Sequence, residues 1–209
     1  MKDIEAAIKR AQDNKLTPLV IDRSEAHAFD TFLGYSATII DAKKVAINDI
    51  AIKKQPVPEV MDGVRKTICN GMKYGKRVAI ACQTSAPNFV GQLCDGKNGA
   101  DLAGKPYEKA MNATEKKVFP LDLFDDSARK YANEAEMSGA EIEAFFREED
   151  VADTQGFAKT VGTFNVIVTT QFNYEDIDDF LFKDDAPSLP PGKFQAIWIA
   201  HEEDMAFME

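Results

Sequence analysis

A strand that runs directly into a helix lies near the start of the chain, where many α/β proteins bind a phosphate. The strand is Thr17-Pro18-Leu19-Val20-Ile21-Asp22, and Arg23-Ser24-Glu25-Ala26-His27 follows it. A phosphate-binding loop needs glycines that let the backbone approach the ligand and a cation that offsets its charge. This junction has no glycine and no lysine, and the acids Asp22 and Glu25 stand where donors are needed. The junction therefore predicts an α/β protein without a phosphate-binding loop.

Two later segments match the spacing of a phosphate-binding loop but lack its other parts. Gly91 to Asn98 spells G-x-x-x-x-G-K followed by Asn, and Gly99 to Lys105 repeats the spacing before Pro106. A working loop has Ser or Thr after the lysine, a strand directly before it and a helix directly after it. Neither segment meets these conditions, so both are predicted to be glycine-rich loops.

The sequence predicts neither a metal site nor a cofactor. His27 and His201 lie far apart in the chain, and neither has a cysteine or a second histidine beside it. Five aspartates between Asp176 and Asp185 suggest calcium binding, but the glycine and the closing glutamate of an EF-hand loop are absent. A solvated helix end is the simpler interpretation of these acids.

The rest of the chain alternates between predicted helices and short apolar strands. Helical periodicity and capping predict helices at 1–14, 24–33 (with Gly34 as the stop), 43–54, 58–74, 127–147 and 174–182. Apolar segments predict strands at 16–22, 37–41, 77–82, 164–170 and 194–200, with 118–124 as an apolar anchor or short strand. Apolar strands with helices between them favour a three-layer α/β fold: a mostly parallel five-stranded sheet with helices on both faces.

A single domain is expected for residues 1–209, because a chain of this length with 44% hydrophobic content can bury one substantial core. The predicted core covers about residues 15–200. A segment rich in Gly, Asn, Asp and Lys predicts an insertion at about 86–119, and an acidic helical segment is expected at about 125–150.

Six polar side chains are predicted to line a ligand crevice at one edge of this sheet. Open α/β sheets bind ligands at the carboxyl ends of their strands. The polar residues that end the first, third and fourth predicted strands are Asp22, Ser24, Gln83, Thr84, Thr169 and Thr170.

The net charge of −10 is distributed unevenly along the chain. Residues 1–120 carry 19 Lys and Arg against 14 Asp and Glu, whereas residues 121–209 carry 6 against 21. A solvated acidic face is the commoner cause of such a bias. The alternative is a polarised surface that orients against a basic protein partner, or head-to-tail against another copy. No dense basic stripe with interleaved aromatic residues is present, so nucleic acid is not an expected partner.

The cysteines and the apolar segments predict a cytoplasmic protein. Cys69, Cys82 and Cys94 form an odd set with no C-x-x-C pair, which is typical of reduced thiols in the cytosol. No apolar run approaches the ~18 residues of a membrane span, and the segment from Met1 to Glu5 lacks the apolar core of a signal peptide. We therefore expect no membrane partner.

The order of the predicted elements resembles that of an AAA+ module over roughly residues 15–200. The segments that carry the resemblance are Pro18–Asp22, Gly71–Lys76 leading into Val78–Ile80, Phe164–Gln171 and the closing apolar strand. They look most like the later AAA+ modules of the dynein motor, which do not hydrolyse nucleotide. In that family the phosphate loop follows the first strand, the third strand carries the Walker B region and the fourth carries sensor 1. The insertion at 86–119 has no counterpart in this resemblance.

The resemblance implies a P-loop NTPase-like fold without a functional Walker A loop. Walker B chemistry needs one acid that holds the Mg²⁺ shell and a second that polarises water, but the third strand ends Cys82-Gln83-Thr84-Ser85. The resemblance therefore implies not an enzyme but a structural or interaction module in a cytosolic, cytoskeletal or ciliary assembly. Two alternatives stay open: a small-molecule-binding protein or enzyme that uses the crevice, and a subunit that self-assembles through its oppositely charged halves.

Overall fold

The computed structural model contains one five-stranded sheet in which every strand pair is parallel. The structure describes residues 2–24, 28–87, 121–124, 146–155, 159–183 and 188–199. The strands are β1 (Thr17–Asp22), β2 (Ala37–Asp41), β3 (Arg77–Ala81), β4 (Asn165–Thr170) and β5 (Phe194–Ile199). Their order across the sheet is β2-β3-β4-β1-β5, so β2 and β5 are the edges.

Helices connect or precede the strands in the described parts of the chain. The α-helices are α1 (Lys2–Asp13), α2 (Ala28–Ser36), α3 (Val57–Tyr74), α4 (Glu148–Val151) and α5 (Tyr174–Leu181). A π-helix spans Lys44–Ile52, and 3₁₀ turns span Leu121–Phe124 and Ala152–Thr154. None of the helices in the described ranges is long and apolar enough to cross a membrane.

Buried side chains form two clusters, one on each face of the sheet, because successive side chains of a strand point to opposite faces. In β1, Val20 belongs to the smaller cluster with α1 and α2, whereas Leu19 and Ile21 belong to the larger cluster with α3 and α5. The same alternation divides Ala79 of β3 from its neighbours Val78 and Ile80. The predicted three-layer architecture is therefore confirmed.

The strand order places the two helix layers. The chain crosses the sheet in one direction from β1 to β2 and in the opposite direction from β2 to β3 and from β4 to β5. Right-handed connections then put α2 on one face and α3 and α5 on the other. Because the helices after β1 and β4 leave toward opposite faces, the sheet has a topological switch point between these neighbouring strands.

The helix α3 ends where the sequence predicts. Gly75 closes it in the left-handed conformation, with φ of 63°, and its N–H donates to Gly71 and Met72. A side chain at Gly75 would also collide with Val161 and Thr163. Strand β3 begins after one further residue, Lys76, so the turn at Gly75 connects the helix directly to the strand.

Three local predictions differ from the structure. Helix α2 continues through Gly34 and ends at Ser36. Gly34 is exposed, and a glycine at an exposed helix position lowers the stability of the helix by only about 1 kcal/mol relative to alanine, so it does not end the helix. Residues 44–52 form a π-helix, which sequence periodicity does not distinguish from an α-helix. The four residues Leu121–Phe124 form a 3₁₀ turn and not a strand, although Leu123 and Phe124 are buried as an anchor.

Of the predicted helix at 127–147, only 146 and 147 are described, and most of the insertion at 86–119 lies outside the described residues.

Candidate functional site

The polar residues of the predicted crevice lie at the switch point and the strand end next to it. Strands β1, β4 and β3 are neighbours, with Ile21 of β1 opposite Thr170 of β4 and Ala81 of β3 opposite Thr169. Asp22 ends β1 and Ser24 lies two residues later, and Gln83 and Thr84 follow β3. The three strand ends are therefore adjacent, as the crevice requires, but their polar groups are largely bonded to one another.

The Asp22 carboxylate is fully buried and accepts three hydrogen bonds from its own chain. Its Oδ1 accepts from the Ser24 N–H at 3.0 Å and from the Ser24 hydroxyl at 2.5 Å. Its Oδ2 accepts from the N–H of Phe29, in the first turn of α2, at 3.1 Å. The Ser24 Oγ accepts from the N–H of Ala28 at 3.4 Å. These N–H groups are the donors that a phosphate at this helix N-terminus would need.

The ends of β3 and β4 are joined through the backbone carbonyl of Gln83. This oxygen accepts from the N–H of Gln171 at 2.9 Å and from the Thr170 hydroxyl at 3.1 Å. Gln83 has a φ of 53°, the left-handed region that few residues with side chains adopt, so the chain turns sharply there. The Cys82 N–H donates to Thr169 O at 2.8 Å, which extends the pairing of the two strands beyond β3.

A network that sequence reasoning missed crosses the switch point. The Arg23 guanidinium donates to the carbonyl of Gln171 at 3.4 Å, and the Gln171 side chain donates to the Asp30 carboxylate of α2 at 2.9 Å. The Arg23 N–H also donates to Ile199 O at the end of β5. The three residues link β1, β4, β5 and α2. Gln171 directly follows Thr169 and Thr170 in the segment that resembles the sensor 1 strand. This position is the feature of the sequence that could have indicated the network.

The remaining members of the predicted crevice have different surroundings. Thr84 is exposed beside Gln83, whereas Thr169 is buried. Burial raises the pKa of the neighbouring Cys82 thiol to about 12, so little of the reactive thiolate is expected at neutral pH. The ligand role of the six residues stays a prediction.

Several other sequence features lie outside the described residues: Glu25, His27, His201, Cys94 and the two glycine-rich segments at 91–98 and 99–105. Among the described residues, no group of three or more His, Cys, Asp or Glu side chains is placed to hold a metal ion.

A separate groove of about 310 Å³ lies beside the edge strand β2, between the π-helix and α3. Its apolar wall includes Ile40, Val45 and Val64. Its polar lining combines three carboxylates with a lysine and two neutral side chains: Asp41, Asp49, Glu59, Lys44, Gln55 and Thr67. The Asp49 carboxylate is bonded to Lys53 at 2.8 Å, and that of Asp41 accepts from the Lys44 N–H at 2.8 Å.

Comparison of the chain with known proteins gives no relative. No protein-family model matches the sequence, and neither a curated protein nor a solved structure matches it significantly.

Proposed function

We propose that the chain is a degenerate AAA+-like module, P-loop NTPase-like in fold, that acts as a non-catalytic structural or interaction domain. The observation that carries the proposal is the Asp22 carboxylate bonded to the N-terminus of α2. A bound phosphate would have to displace this buried carboxylate, and the two negative charges would repel each other. The protein's own acid thus occupies the position of the ligand.

The strand order supports the AAA+-like part of the proposal. The resemblance assigns the phosphate-loop position to the end of β1, the Walker B position to the end of β3 and the sensor position to β4. These three positions act on one nucleotide, so their strands must be neighbours. Strand β4 lies between β1 and β3, with parallel pairing on both sides.

The end of β3 supports the non-catalytic part. The residues there are a buried thiol, an amide, two hydroxyls and no carboxylate: Cys82, Gln83, Thr84 and Ser85. Hydrolysis of a nucleoside triphosphate needs an acid that holds the magnesium shell and a group that orients water. The Gln83 side chain donates to Asp41 at 3.4 Å, and its carbonyl is used in pairing with β4.

Titration with fluorescent mant-ATP and mant-GTP, with and without Mg²⁺, tests the proposal. We expect no saturable binding up to millimolar nucleotide and no phosphate release above the rate of a buffer blank. Asp22→Asn serves as the matched variant, because it removes the charge and keeps the shape. Magnesium-dependent binding in the micromolar range by the wild-type chain would refute the claim that the site is closed.

The assembly that this module joins is proposed from the resemblance alone. We propose a protein partner in the cytoplasm, within a cytoskeletal or ciliary assembly, as for the dynein modules. Localisation of a tagged full-length chain in ciliated cells tests this setting. A diffuse signal that is fully extracted by mild detergent would argue against a cytoskeletal assembly.

The groove beside β2 favours a second candidate function, the binding of a small molecule. Its size is at the lower end of the range for ligand pockets. Its lining holds three carboxylates against the one lysine Lys44, and with Lys53, which pairs with Asp49, an excess of one negative charge remains, so the groove suits a small cation with an apolar body. A thermal-shift screen of alkyl amines and polyamines tests this candidate. Stabilisation by an amine that Glu59→Gln abolishes would support it, and no shift with any amine would exclude it.

A further inference from the structure

One edge of the sheet carries a basic segment with exposed aliphatic side chains. Residues 43–54, which include the π-helix, contain four lysines and one aspartate, Asp49, which pairs with Lys53. Lys44, Lys53 and Lys54 are exposed, and Ile47 and Ile52 are 39% and 67% exposed among them. Large apolar side chains that are exposed to solvent among charges of one sign are typical of a surface that binds a partner. We call these five residues the basic face.

The opposite edge carries an acidic helix face with exposed aromatic side chains. Helix α5 contains four carboxylates and no basic residue. Glu175, Asp178 and Asp179 are exposed, as are the rings of Tyr174 and Phe180, which are 68% and 51% exposed. We call these five residues the acidic face.

The two faces lie at opposite ends of the same sheet. The π-helix lies beside β2, where Asp41 accepts from the N–H of Lys44. Tyr174, the first residue of α5, contacts Trp198 of β5, and Phe182, the residue after α5, contacts Phe194 of the same strand, so both ends of the helix lie beside β5. Strands β2 and β5 are four strand spacings apart, or about 19 Å. One molecule therefore cannot bring its own two faces together.

We propose that the chain self-associates head-to-tail, with the basic face of one copy against the acidic face of the next. The inference rests on the proposed function as an interaction module and names its partner as a second copy of this chain. Each face supplies what the other lacks: lysines oppose carboxylates, and exposed isoleucines oppose exposed aromatic rings. Complementary charge of this kind selects the partner and fixes its orientation. A head-to-tail contact leaves one face of each kind free, so association continues beyond a dimer.

Light scattering of the wild-type chain gives the first test. At 50 mM salt the average mass is expected to rise with protein concentration beyond that of a dimer. At 500 mM salt the apparent dissociation constant is expected to rise about tenfold or more, because salt screens contacts between exposed charges. A chain that stays monomeric at high concentration and low salt overturns the proposal.

Two neutralised variants give the second test. Lys44→Gln with Lys53→Gln disables the basic face, and Asp178→Asn with Asp179→Asn disables the acidic face. Each variant alone is expected to be monomeric, since each has lost one of the two faces. A mixture is expected to form a 1:1 dimer and stop there, because only one intact face of each kind is present. A mixture that stays monomeric, or variants that each associate like the wild type, would overturn the proposal.

Matched controls separate these faces from general charge effects. Glu148→Gln with Glu149→Gln changes two exposed carboxylates of α4, and we expect this variant to associate like the wild type.

A wild-type chain that is monomeric and whose acidic face binds a lysine-rich peptide would overturn the proposal. The partner of the acidic face would then be another basic chain and not a second copy of this one. Self-association is measured independently of nucleotide binding. A chain that is monomeric and binds no nucleotide would refute the head-to-tail association but not the proposed function. A chain that associates and binds Mg-ATP would refute the closed site but not the association.

Discussion

Arg65 is a charged residue with no exposed side-chain surface, and it attaches the segment around α4 to α3. Its guanidinium contacts Asp62 on its own helix at 2.9 Å and pairs with Asp150 of α4. Arg147 also pairs with Asp62, at 2.7 Å. Burial raises the pKa of Asp62, but hydrogen bonds from Lys66 and Arg65 outweigh it, so this pKa lies below its usual value. The network holds the segment around α4 against α3.

Arg65→Met is therefore expected to lower the free energy of unfolding by about 3 kcal/mol. The substitution keeps the apolar stem of the side chain and leaves two partly buried carboxylates without their shared cation. Lys66→Met is the control, since Lys66 pairs with the same Asp62 from a half-exposed position and should change stability by about 0.5 kcal/mol or less. Urea denaturation measures both. Equal effects of the two substitutions would contradict the role of burial.

Glu5 makes a bidentate ion pair with Arg77 that connects α1 to β3, at 2.7 and 2.8 Å. The hydrogen bond from Arg77 lowers the pKa of this carboxyl below its usual 4.5, against the opposing effect of burial. A carboxyl with a lowered folded-state pKa stabilises the protein above its unfolded pKa, and this contribution is lost as pH falls through the folded value. The stability difference between wild type and Glu5→Gln should therefore be full above about pH 5 and shrink below pH 4.5. A difference that does not change with pH would contradict this ion pair.

Cys69 and Cys82 are expected to resist alkylation in the folded protein. Burial raises the pKa of each thiol to about 12, and Arg65 only partly offsets this for Cys69. The thiolate, which is the reactive form, is thus scarce at pH 7.5. Treatment with N-ethylmaleimide followed by peptide mass mapping should label these cysteines only after denaturation. Labelling of either cysteine within minutes in the native protein would show that it is reachable.

The helix α3 offers a matched pair of glycines that test how it packs on the sheet. A Cβ on Gly71 would lie 2.5 Å from Val78 of β3 and 3.2 Å from the ring of Phe164. A Cβ on Gly63, two turns earlier, would meet nothing within 4 Å. Gly71→Ala should therefore lower stability by about 1–3 kcal/mol, whereas Gly63→Ala should raise it by about 0.5–1 kcal/mol. Thermal unfolding measures both, and two changes of the same sign would contradict this packing.

Most elements of the sheet and its helices follow from local pattern, and the exceptions have physical causes. The five strands are predicted to within two residues of their observed bounds, because each is an apolar run bounded by turn residues or a helix. The π-helix was not predicted, because a change in hydrogen-bond register leaves little trace in the periodicity of nine residues. The anchor at Leu123 and Phe124 was recognised as buried, but apolar content alone does not separate a strand from a 3₁₀ turn.

For the molecule as a whole, the location of the candidate site was predictable, but its internal bonding was not. Parallel strands and their order bring polar strand ends to one edge, which composition and element order suffice to suggest. The hydrogen bond from the Phe29 N–H to Asp22 spans seven residues, and that from the Thr170 hydroxyl to Gln83 spans 87. Such pairs depend on side-chain direction and strand register. These bonds join the end of β1 to α2 and the end of β3 to β4, and the ligand role of the crevice residues stays a prediction.

Amide hydrogen exchange at Ser24 and Phe29 measures whether the end of β1 is closed to nucleotide, because the N–H groups of both residues donate to the Asp22 carboxylate. We expect slow exchange in the wild-type chain, faster exchange in Asp22→Ala, and no change when Mg-ATP is added to the wild type. Slower exchange or shifted resonances at these amides on addition of millimolar Mg-ATP would show a nucleotide at the end of β1 and refute the proposal of a closed site.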